Sequence, residues 1–285
     1  MKTTFIYKVN DYAPAIGTIV TLETPDVAEM LSLCGFDWLF IDMEHGPLSP
    51  GTTQHIIQAI GGDCSSIVRV PENSEVWIKK ALDTGCDGVI VPQVKSAEDA
   101  RLAVSATKFP PQGSRSVGIA RAHGYGMSFT EYVASANEKV ALVILIEHID
   151  AVSNLEEILA VPGIDGVLIG PYDLSGSMNM LGQVTSEPVR ASVAEIKKKC
   201  QEKSVPVGMF VMNAEDAQQE IDDGCKFIAV GIDSVLLWNA AKTALDTVLN
   251  PTVPLVRNGP VNAACGTLIE ESRGCEDDQA ALQGA

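Results

Sequence analysis

Hydrophobic and polar positions follow two repeating patterns along most of the chain. Short apolar runs, with the length and composition typical of buried parallel strands, recur at residues 15–22, 38–43, 66–70, 88–94, 141–146, 166–169, 205–211 and 227–232. Segments with apolar positions at three- and four-residue spacings lie between most of these runs, at residues 25–34, 52–60, 76–83, 97–107, 188–202, 214–223 and 234–249. The chain therefore repeats a strand followed by a helix.

This repeat predicts an α/β fold of the (β/α)8 TIM barrel type. Eight strand–helix units in 285 residues fit a closed parallel barrel, whereas an open dinucleotide-binding sheet has about six strands and a G-x-G-x-x-G turn, which this sequence lacks. We expect a single catalytic barrel domain at residues 1–249 and an acidic C-terminal tail at residues 250–285. That tail contains several prolines and acidic side chains, so we expect it to be partly disordered or docked on a neighbouring subunit.

Composition and charge narrow the classes of function. The chain has 20 Lys and Arg against 37 Asp and Glu, and its net charge of −17 argues against nucleic acid or an anionic membrane as a partner. Its seven cysteines are scattered without a C-x-x-C pair, which favours neither a zinc site nor a disulfide framework. No apolar run is long enough to cross a membrane, and the N-terminus lacks the pattern of a secretory signal. We expect a cytoplasmic protein.

The segment at residues 143–175 predicts a complete βαβ unit with one helix between its strands. Apolar positions in that helix fall at helical spacings, and Pro162-Gly163 ends it. Glu147 and Asp173 come directly after the two strands. Because α/β folds place their chemistry at the carboxyl ends of parallel strands, these two carboxylates predict a site for a divalent cation.

Other strand ends bring further polar side chains to the same face of the predicted barrel. They are Asp42, Glu44, His45, Arg69, Gln93 and Tyr172. Oxygen ligands, with water completing an octahedron, suit Mg²⁺ or Mn²⁺, and the lack of a histidine cluster argues against zinc. A cation beside a histidine and an arginine suits proton abstraction next to the carbonyl of a 2-oxo acid. We expect His45 to move the proton and Arg69 to stabilise the developing oxyanion.

Five motifs, in this order, resemble the HpcH/HpaI aldolase family of metal-dependent class II pyruvate aldolases, which includes 4-hydroxy-2-oxoheptanedioate aldolase-like enzymes. The motifs are FIDMEHGPLS, RVPENSEVWIKKALDTGCDGVIVP, FPPQGSR…RAHGYG, VILIEHIDAV and IGPYDLSGSMNMLGQ, within residues 15–249. The resemblance implies a (β/α)8 barrel that reversibly cleaves 4-hydroxy-2-oxo acids to pyruvate and an aldehyde. It also implies that the reaction passes through a metal-stabilised pyruvate enolate.

The resemblance also assigns roles to residues. It implies that Glu147 and Asp173 bind the divalent cation, for which Mg²⁺, Mn²⁺ and Co²⁺ are open, and that Arg69 stabilises the enolate. We also expect Arg69, Tyr172 and Asp173 to bind substrate. His45 is implied as acid/base and Asp83 as the residue that supports its basicity, whereas spacing in the sequence alone nominates Asp42. Family members are usually hexamers with the C-terminal helix packed on a neighbour, so we expect a homo-oligomer, and a hexamer in particular.

Two residues beside the predicted metal depart from the family pattern. Leu145 stands where a glutamine is common, and Tyr172 stands where a small residue is common. Both changes bear on the substrate more than on the metal or the enolate chemistry. The sequence does not identify the aldehyde, and we expect a Gly/Pro-rich loop at residues 109–127, with Arg121, His123 and Tyr125, to bind it.

Three other functions compete with this prediction. A Schiff-base aldolase needs a desolvated lysine inside the barrel, and the nearby candidate, Lys226, stands at the wrong end of its strand. An enzyme of the macrophomate synthase type would form the enolate by decarboxylating oxaloacetate and then condense it, and Leu145 leaves that route open. A non-catalytic oligomeric barrel would bind metal and 2-oxo acid without turnover, which the joint presence of His45, Arg69, Glu147 and Asp173 argues against.

Overall fold

A computed structural model of the protein describes residues 5–11 and 13–249, and the predicted tail at residues 250–285 lies outside them. Eight parallel strands form a closed barrel in which each strand pairs with the next and the last pairs with the first. The strands are β1 Ala15–Val20, β2 Trp38–Asp42, β3 Ser65–Arg69, β4 Gly88–Val91, β5 Ala141–Ile146, β6 Gly166–Ile169, β7 Val207–Val211 and β8 Phe227–Ile232. The predicted (β/α)8 barrel is confirmed.

Helices connect the strands around the outside of the barrel. They are α1 Phe5–Val9, α2 Pro25–Leu33, α3 Pro50–Ala59, α4 Glu75–Asp83, α5 Ala97–Thr107, α6 Phe129–Lys139, α7 Ile149–Ser153, α8 Leu155–Leu159, α9 Pro171–Ser177, α10 Glu187–Glu202, α11 Ala214–Asp222 and α12 Asp233–Leu249. A 3-10 helix at Arg121–Gly126 precedes α6. The sequence patterns place most of these helices correctly.

The prediction of one helix between β5 and β6 was wrong, because this connection contains two helices, α7 and α8. Asn154 separates them: its backbone leaves the helical region, and its side-chain amide donates a hydrogen bond to the backbone oxygen of Lys95 at 2.9 Å. The short helix α9 was also not predicted. It begins at Pro171, where the fixed φ of proline suits the first position of a helix.

Strand side chains that alternate between the two faces of the barrel build two cores. Trp38 and Phe40 of β2 and Val143 and Leu145 of β5 belong to the apolar core in the barrel interior. Intervening residues such as Leu39 pack between the strands and the surrounding helices. This two-residue period is the expected consequence of pleated strands in a closed barrel.

The same alternation places polar side chains at the carboxyl ends of the strands. Two residues beyond the apolar positions of the interior come Asp42 at the end of β2, Arg69 at the end of β3 and Glu147 just after β5. A strand period of two therefore directs these three side chains toward the barrel axis at one end. The functional groups are positioned by the strands themselves.

Helix α1 lies at the opposite, amino-terminal end of the barrel. The ring of Phe5 packs edge-on against Trp38, with ring centroids 5.3 Å apart, and against Phe227, with centroids 5.5 Å apart. Aromatic pairs at these distances combine burial with favourable ring geometry. The aromatic cluster fills this end of the barrel interior and leaves the carboxyl ends of the strands for chemistry.

The chain divides into two compact units, residues 1–240 and residues 241–285. Most of the second unit lies outside the described residues, so the domain limits 1–249 and 250–285 stay a prediction. Within residues 5–11 and 13–249, no helix has both the length and the apolar character needed to cross a bilayer.

Candidate active site

Asp42, at the end of β2, organises the centre of the site. Its buried carboxylate accepts two hydrogen bonds from Arg69, from Nε to Oδ1 at 2.9 Å and from Nη2 to Oδ2 at 2.7 Å. Oδ1 also accepts hydrogen bonds from the backbone N–H groups of Glu44 at 3.0 Å and His45 at 3.3 Å. A single carboxylate therefore fixes both the guanidinium and the turn that follows β2.

Arg69 is a fixed positive charge in this site. Its Nη1 lies 3.1 Å from Oε2 of Glu44, and its guanidinium stands 5.1 Å from the ring centroid of Phe40. Burial acts to lower the pKa of Arg69, but the hydrogen bond to Asp42 and the charges of Asp42, Glu44 and Glu147 outweigh burial and raise that pKa. The side chain remains protonated throughout the physiological range.

The negative charge of Glu44 is only partly compensated by the positive charge of Arg69. Burial raises the pKa of Glu44, the charges of Arg69 and His45 act to lower it, and those of Asp42 and Asp173 add to the rise. Although Oε2 is an ion-pair partner of Arg69, it is buried without hydrogen-bond geometry to any group in the described part of the chain. A buried anion with an unsatisfied oxygen favours a cation nearby.

Glu147, directly after β5, is a buried carboxylate with 3% of its surface exposed. Burial raises its pKa to about 7, the hydrogen bond from the backbone of Gln93 acts to lower it, and the charges of Glu44 and Asp173 raise it further. Its Oε1 accepts hydrogen bonds from the backbone N–H of Gln93 at 2.8 Å and from its side-chain Nε2 at 2.9 Å. Glu147 is therefore held firmly in an unfavourable electrostatic environment.

Asp173 lies in the first turn of α9, directly after β6, and is exposed. The turn passes Glu147 closely, because a Cβ built on Gly170 would lie 2.9 Å from the Cβ of Glu147 and 3.2 Å from its Oε2. Only a glycine permits this approach without a shift of the glutamate. Tyr172, with 63% of its surface exposed, stands next to Asp173 in the same turn.

The donor set fits a hard divalent cation. Glu44, Glu147 and Asp173 are close enough for their charges to act on one another, and the positive charge of Arg69 does not balance all three. Among the residues that the structure describes, no group of three or more His, Cys, Asp or Glu side chains is arranged to hold a metal ion. Glu147 and Asp173 would supply two carboxylates, and Mg²⁺ commonly binds through one or two carboxylates with water as the remaining ligands.

His45 lies at the mouth of the site, with 69% of its side chain exposed and Nε2 4.0 Å from Oε2 of Glu44. The spacing in the sequence nominates Asp42 as the carboxylate that supports the imidazole. In the structure Asp42 instead accepts a hydrogen bond from the backbone N–H of His45. The ring of His45 is left accessible to a bound substrate and to solvent.

One cavity brings most of the predicted site residues together. Its lining includes Asp42, His45, Arg69, Glu147, Tyr172 and Asp173, with Leu145 and Phe210 as apolar neighbours. The part of this cavity that these residues line lies at the carboxyl ends of the strands, where (β/α)8 barrels place their active sites. The lining also extends to residues at the amino-terminal end, such as Val9 and Lys226. The predicted residue Asp83 is not part of it.

The sequence profile of the HpcH/HpaI aldolase/citrate lyase family matches residues 16–240 of this chain. The chain belongs to this family. A hydroxypyruvate/pyruvate aldolase of Cupriavidus necator is 39% identical over 230 residues, which cover 80% of this chain and 85% of that protein. A 4-hydroxy-2-oxo-heptane-1,7-dioate aldolase of Escherichia coli is 37% identical over 245 residues, which cover 85% of this chain and 93% of that protein.

A solved structure has the same architecture. The crystal structure of an HpcH/HpaI aldolase/citrate lyase family protein from Burkholderia cenocepacia matches with a TM-score of 0.82 and 32% identity, covering 86% of this chain and 98% of that one. Together with the named aldolases, it confirms the predicted family and the predicted carbon–carbon lyase of the aldolase type. The named relatives do not favour the macrophomate synthase alternative.

Asp83 lies at the end of this HpcH/HpaI barrel opposite to the one that holds His45. It ends α4, just before β4 begins at Gly88, so it stands at the amino-terminal end of the barrel. Its Oδ1 accepts a hydrogen bond from Nη2 of the buried Arg115 at 3.2 Å. Since His45 stands at the carboxyl ends of the strands, one chain does not bring Asp83 and His45 together.

The loop at residues 109–127 lies at the amino-terminal end as well. Arg121 donates a hydrogen bond to the backbone oxygen of Thr84, just after α4, at 2.7 Å. The ring of His123 is buried and forms hydrogen bonds with the backbone of the same loop. A single HpcH/HpaI protomer therefore does not bring this loop to the other predicted site residues, and binding of the aldehyde by the loop stays a prediction. The reason is topological, because the loop follows α5, which returns the chain to the amino-terminal end.

Lys226, the candidate lysine for Schiff-base chemistry, lies away from the predicted site residues. Lys226 is exposed and immediately precedes β8, at the amino-terminal end of the barrel. A Schiff-base lysine needs a desolvated amine near the substrate. The placement of Lys226 therefore argues against this alternative for the HpcH/HpaI family member.

Sequence reasoning placed Gln93 at a strand end but missed its contact with Glu147. The contact depends on a backbone φ of +57° at Gln93, in the left-handed region that residues other than glycine rarely adopt. Pro92, the residue before it, signals a turn after β4. No pattern in the sequence indicates the direction in which the glutamine then points.

Proposed function

We propose that this HpcH/HpaI family protein is a metal-dependent class II aldolase that reversibly cleaves 4-hydroxy-2-oxo acids to pyruvate and an aldehyde. The observation that supports this best is a cavity lined by Arg69, Glu147 and Asp173, beside which Glu44 lies close enough for its charge to act on Glu147. The names of the aldolase relatives support the reaction class. A divalent cation at Glu147 and Asp173, for which Mg²⁺, Mn²⁺ and Co²⁺ are the candidates, would supply Lewis-acid polarisation of the substrate carbonyl.

Arg69 stabilises negative charge on the substrate. Asp42 holds two of its nitrogens, so the guanidinium does not have to reorient during the reaction, and its neighbour Glu44 keeps Nη1 at the cavity. When the bond between carbons 3 and 4 of the substrate breaks, the electron pair moves onto the 2-oxo group. A fixed positive charge at that position lowers the energy of the transition state, because no dipole has to be reorganised.

His45 transfers the protons. Cleavage removes a proton from the 4-hydroxyl group as the aldehyde leaves, and pyruvate forms when carbon 3 receives a proton. The exposed imidazole, 4.0 Å from Oε2 of Glu44, stands at the mouth of the cavity, where it can reach substrate and exchange with solvent. General acid–base groups of this kind contribute about 10²- to 10⁴-fold to a rate.

Leu145 and Tyr172 shape the substrate cavity. Leu145, with 3% of its surface exposed, is the last inward apolar residue before Glu147, and Tyr172 stands beside Asp173 at the rim. An apolar floor and an aromatic rim would leave Arg69, and a cation held by Glu147 and Asp173, as the principal polar partners of the 2-oxo acid. We assign Arg69, Tyr172 and Asp173 to substrate binding on this basis.

The role of Asp83 in supporting His45 requires a second protomer, because one chain holds the two residues at opposite ends of the barrel. A homo-oligomer, with a hexamer as the expected form, would provide the second protomer. Leu237 and Trp238, near the start of α12, are each 63% exposed. Large apolar side chains exposed side by side favour an interface between copies of the chain.

Deuterium exchange into the methyl group of pyruvate tests the proposed chemistry without knowledge of the aldehyde. In heavy water the purified protein should exchange these protons with added Mg²⁺ or Mn²⁺ and lose exchange with EDTA. Glu147→Ala and Asp173→Ala should abolish exchange while remaining folded, and the matched control Glu138→Ala, at an exposed position on α6, should exchange normally. Exchange that survives EDTA, or that persists in Glu147→Ala, would refute the metal assignment.

Mixed oligomers test the second-protomer role of Asp83. His45→Ala and Asp83→Ala subunits should each be slow alone. Denatured together and refolded, they should regain part of the activity, because sites that combine His45 of one subunit with Asp83 of another are intact. A mixture no more active than its two components would remove Asp83 from the mechanism.

A further inference from the structure

Gln93 has a backbone conformation that its local sequence does not require. It follows Pro92 just beyond β4 and has a φ of +57°. Few residues other than glycine adopt a positive φ. Side chains in the left-handed region cost free energy, and such residues persist where the surrounding structure holds them, often at functional sites. Gln93 lies beside the carboxylate that we assign to the metal.

The unusual backbone directs two donors of Gln93 onto one atom. Its main-chain N–H and its side-chain Nε2 donate to the same Oε1 of Glu147, at 2.8 Å and 2.9 Å. Two donors from one residue fix the carboxylate more firmly than one, because rotation of the glutamate would break both hydrogen bonds. Glu147 is almost completely buried, so water does not readily replace either donor.

The other carboxylate oxygen of Glu147 lies on a different side. A Cβ built on Gly170 would be 3.2 Å from Oε2, and Asp173 comes three residues after Gly170. Thus Oε1 is occupied by Gln93, whereas Oε2 borders the turn that carries the second predicted metal ligand. The two carboxylate oxygens of Glu147 therefore have different surroundings before any ligand binds.

We propose that Gln93 is a positioning residue for the metal: it holds Oε1 of Glu147 with two hydrogen bonds and thereby leaves Oε2 to bind the divalent cation. This inference rests on the proposed function. Residues that orient a ligating side chain commonly contribute about 10- to 100-fold to metal affinity. The effect belongs to metal binding, so turnover at saturating metal should change much less than the metal dissociation constant.

The first test measures metal binding without substrate. Gln93→Met keeps the length of the side chain and the backbone N–H but removes the Nε2 donor. Calorimetric titration with Mn²⁺, checked by the electron paramagnetic resonance signal of free Mn²⁺, should give a dissociation constant about 10-fold or more above that of the unaltered protein. The control Gln58→Met, at an exposed position on α3, should bind as the unaltered protein does.

A second variant separates the lost donor from backbone strain and from misfolding. Gln93→Gly adopts positive φ without cost, so it should fold at least as stably as Gln93→Met, and it should still bind Mn²⁺ about 10-fold more weakly than the unaltered protein. Folding is checked by circular dichroism and thermal unfolding in EDTA. Metal affinity within twofold of the unaltered protein in a folded Gln93→Gly or Gln93→Met would overturn the proposal.

The same titration distinguishes failure of this inference from failure of the proposed function. If the unaltered protein and Glu147→Ala bind Mn²⁺ equally, Glu147 is not a metal ligand, and both the metal assignment and the role of Gln93 fall. If Glu147→Ala loses binding but the Gln93 variants keep it, only the role of Gln93 falls. Weakened binding in the Gln93 variants with near-normal exchange of pyruvate protons at saturating metal supports both.

Discussion

Asp42 and Arg69 stand opposite one another in β2 and β3 and are joined by two hydrogen bonds, Nε to Oδ1 at 2.9 Å and Nη2 to Oδ2 at 2.7 Å. Both side chains are shielded, with 3% of Asp42 and 12% of Arg69 exposed. Because the register of neighbouring strands sets this pair, the direction of the guanidinium is a property of the barrel. Arg69 is therefore oriented before substrate arrives, as electrostatic stabilisation of a transition state requires.

Asp42→Asn should destabilise the protein and slow the reaction. The substitution removes the negative charge that compensates buried Arg69 and turns an amide donor toward a group that only donates, and breaking such a pair costs about 3–5 kcal/mol. We expect the free energy of unfolding in urea to fall by about 3 kcal/mol, reduced in part by Glu44. Asp63→Asn, at an exposed position, is the matched control. A loss below about 1 kcal/mol would contradict a structural role for the pair.

Arg69→Lys tests whether the shape of the cation matters beyond its charge. An ammonium group keeps the charge but cannot hold Asp42 through two nitrogens and contact Glu44 with a third. We expect kcat to fall about 100-fold, comparable to the removal of one donor to a developing oxyanion. Arg101→Lys, on the exposed side of α5, should leave kcat unchanged. Near-normal turnover of Arg69→Lys would remove Arg69 from the mechanism.

Much of the fold follows from local patterns that the sequence displays. Strands such as β5 and β6 are apolar along their whole length because helices cover one face and the barrel core the other, and this makes them easy to recognise. Their closure into a barrel follows from their number. The break at Asn154 was not predictable, because it depends on a hydrogen bond to Lys95, which is distant in the sequence.

The candidate site was predictable to the extent that the strands determine it. Asp42, Arg69 and Glu147 extend the inward alternation of their strands, so a period of two locates them. Asp83 was supplied by family resemblance alone, and its place at the end of α4 shows why spacing could not connect it with His45. The contact between Gln93 and Glu147 depends on one backbone angle, which residue patterns do not encode.

His45→Ala should separate proton transfer from metal binding. The imidazole is exposed and makes no contact that the fold needs beyond its backbone N–H, so the variant should unfold at the same temperature as the unaltered protein. Exchange of the methyl protons of pyruvate should slow by about 100-fold or more, with an unchanged Mn²⁺ dissociation constant. His55→Ala, at an exposed position on α3, controls for the loss of a histidine. Unchanged exchange would assign the proton transfer to another group.

Removal of the metal should make stability depend on pH through Glu147. Burial raises the pKa of this group to about 7 in the folded protein, whereas an unfolded chain has the ordinary value of about 4.5. The folded state therefore retains a proton that the unfolded state loses between these values, so its stability is full below pH 4.5 and declines as pH rises toward 7. A shift of this size corresponds to roughly 3 kcal/mol.

Urea unfolding in EDTA at pH 5, 6, 7 and 8 measures this decline. The unaltered protein should lose stability across the window relative to Glu147→Gln, whose amide does not titrate but can still accept hydrogen bonds from Gln93. Saturating Mn²⁺ at pH 8 should restore stability to the unaltered protein and not to the variant, because a cation compensates the buried carboxylate that the variant lacks. Parallel pH profiles for the two proteins in EDTA would show that Glu147 ionises normally. The argument that a buried, uncompensated carboxylate marks the metal site would then fail at its central residue.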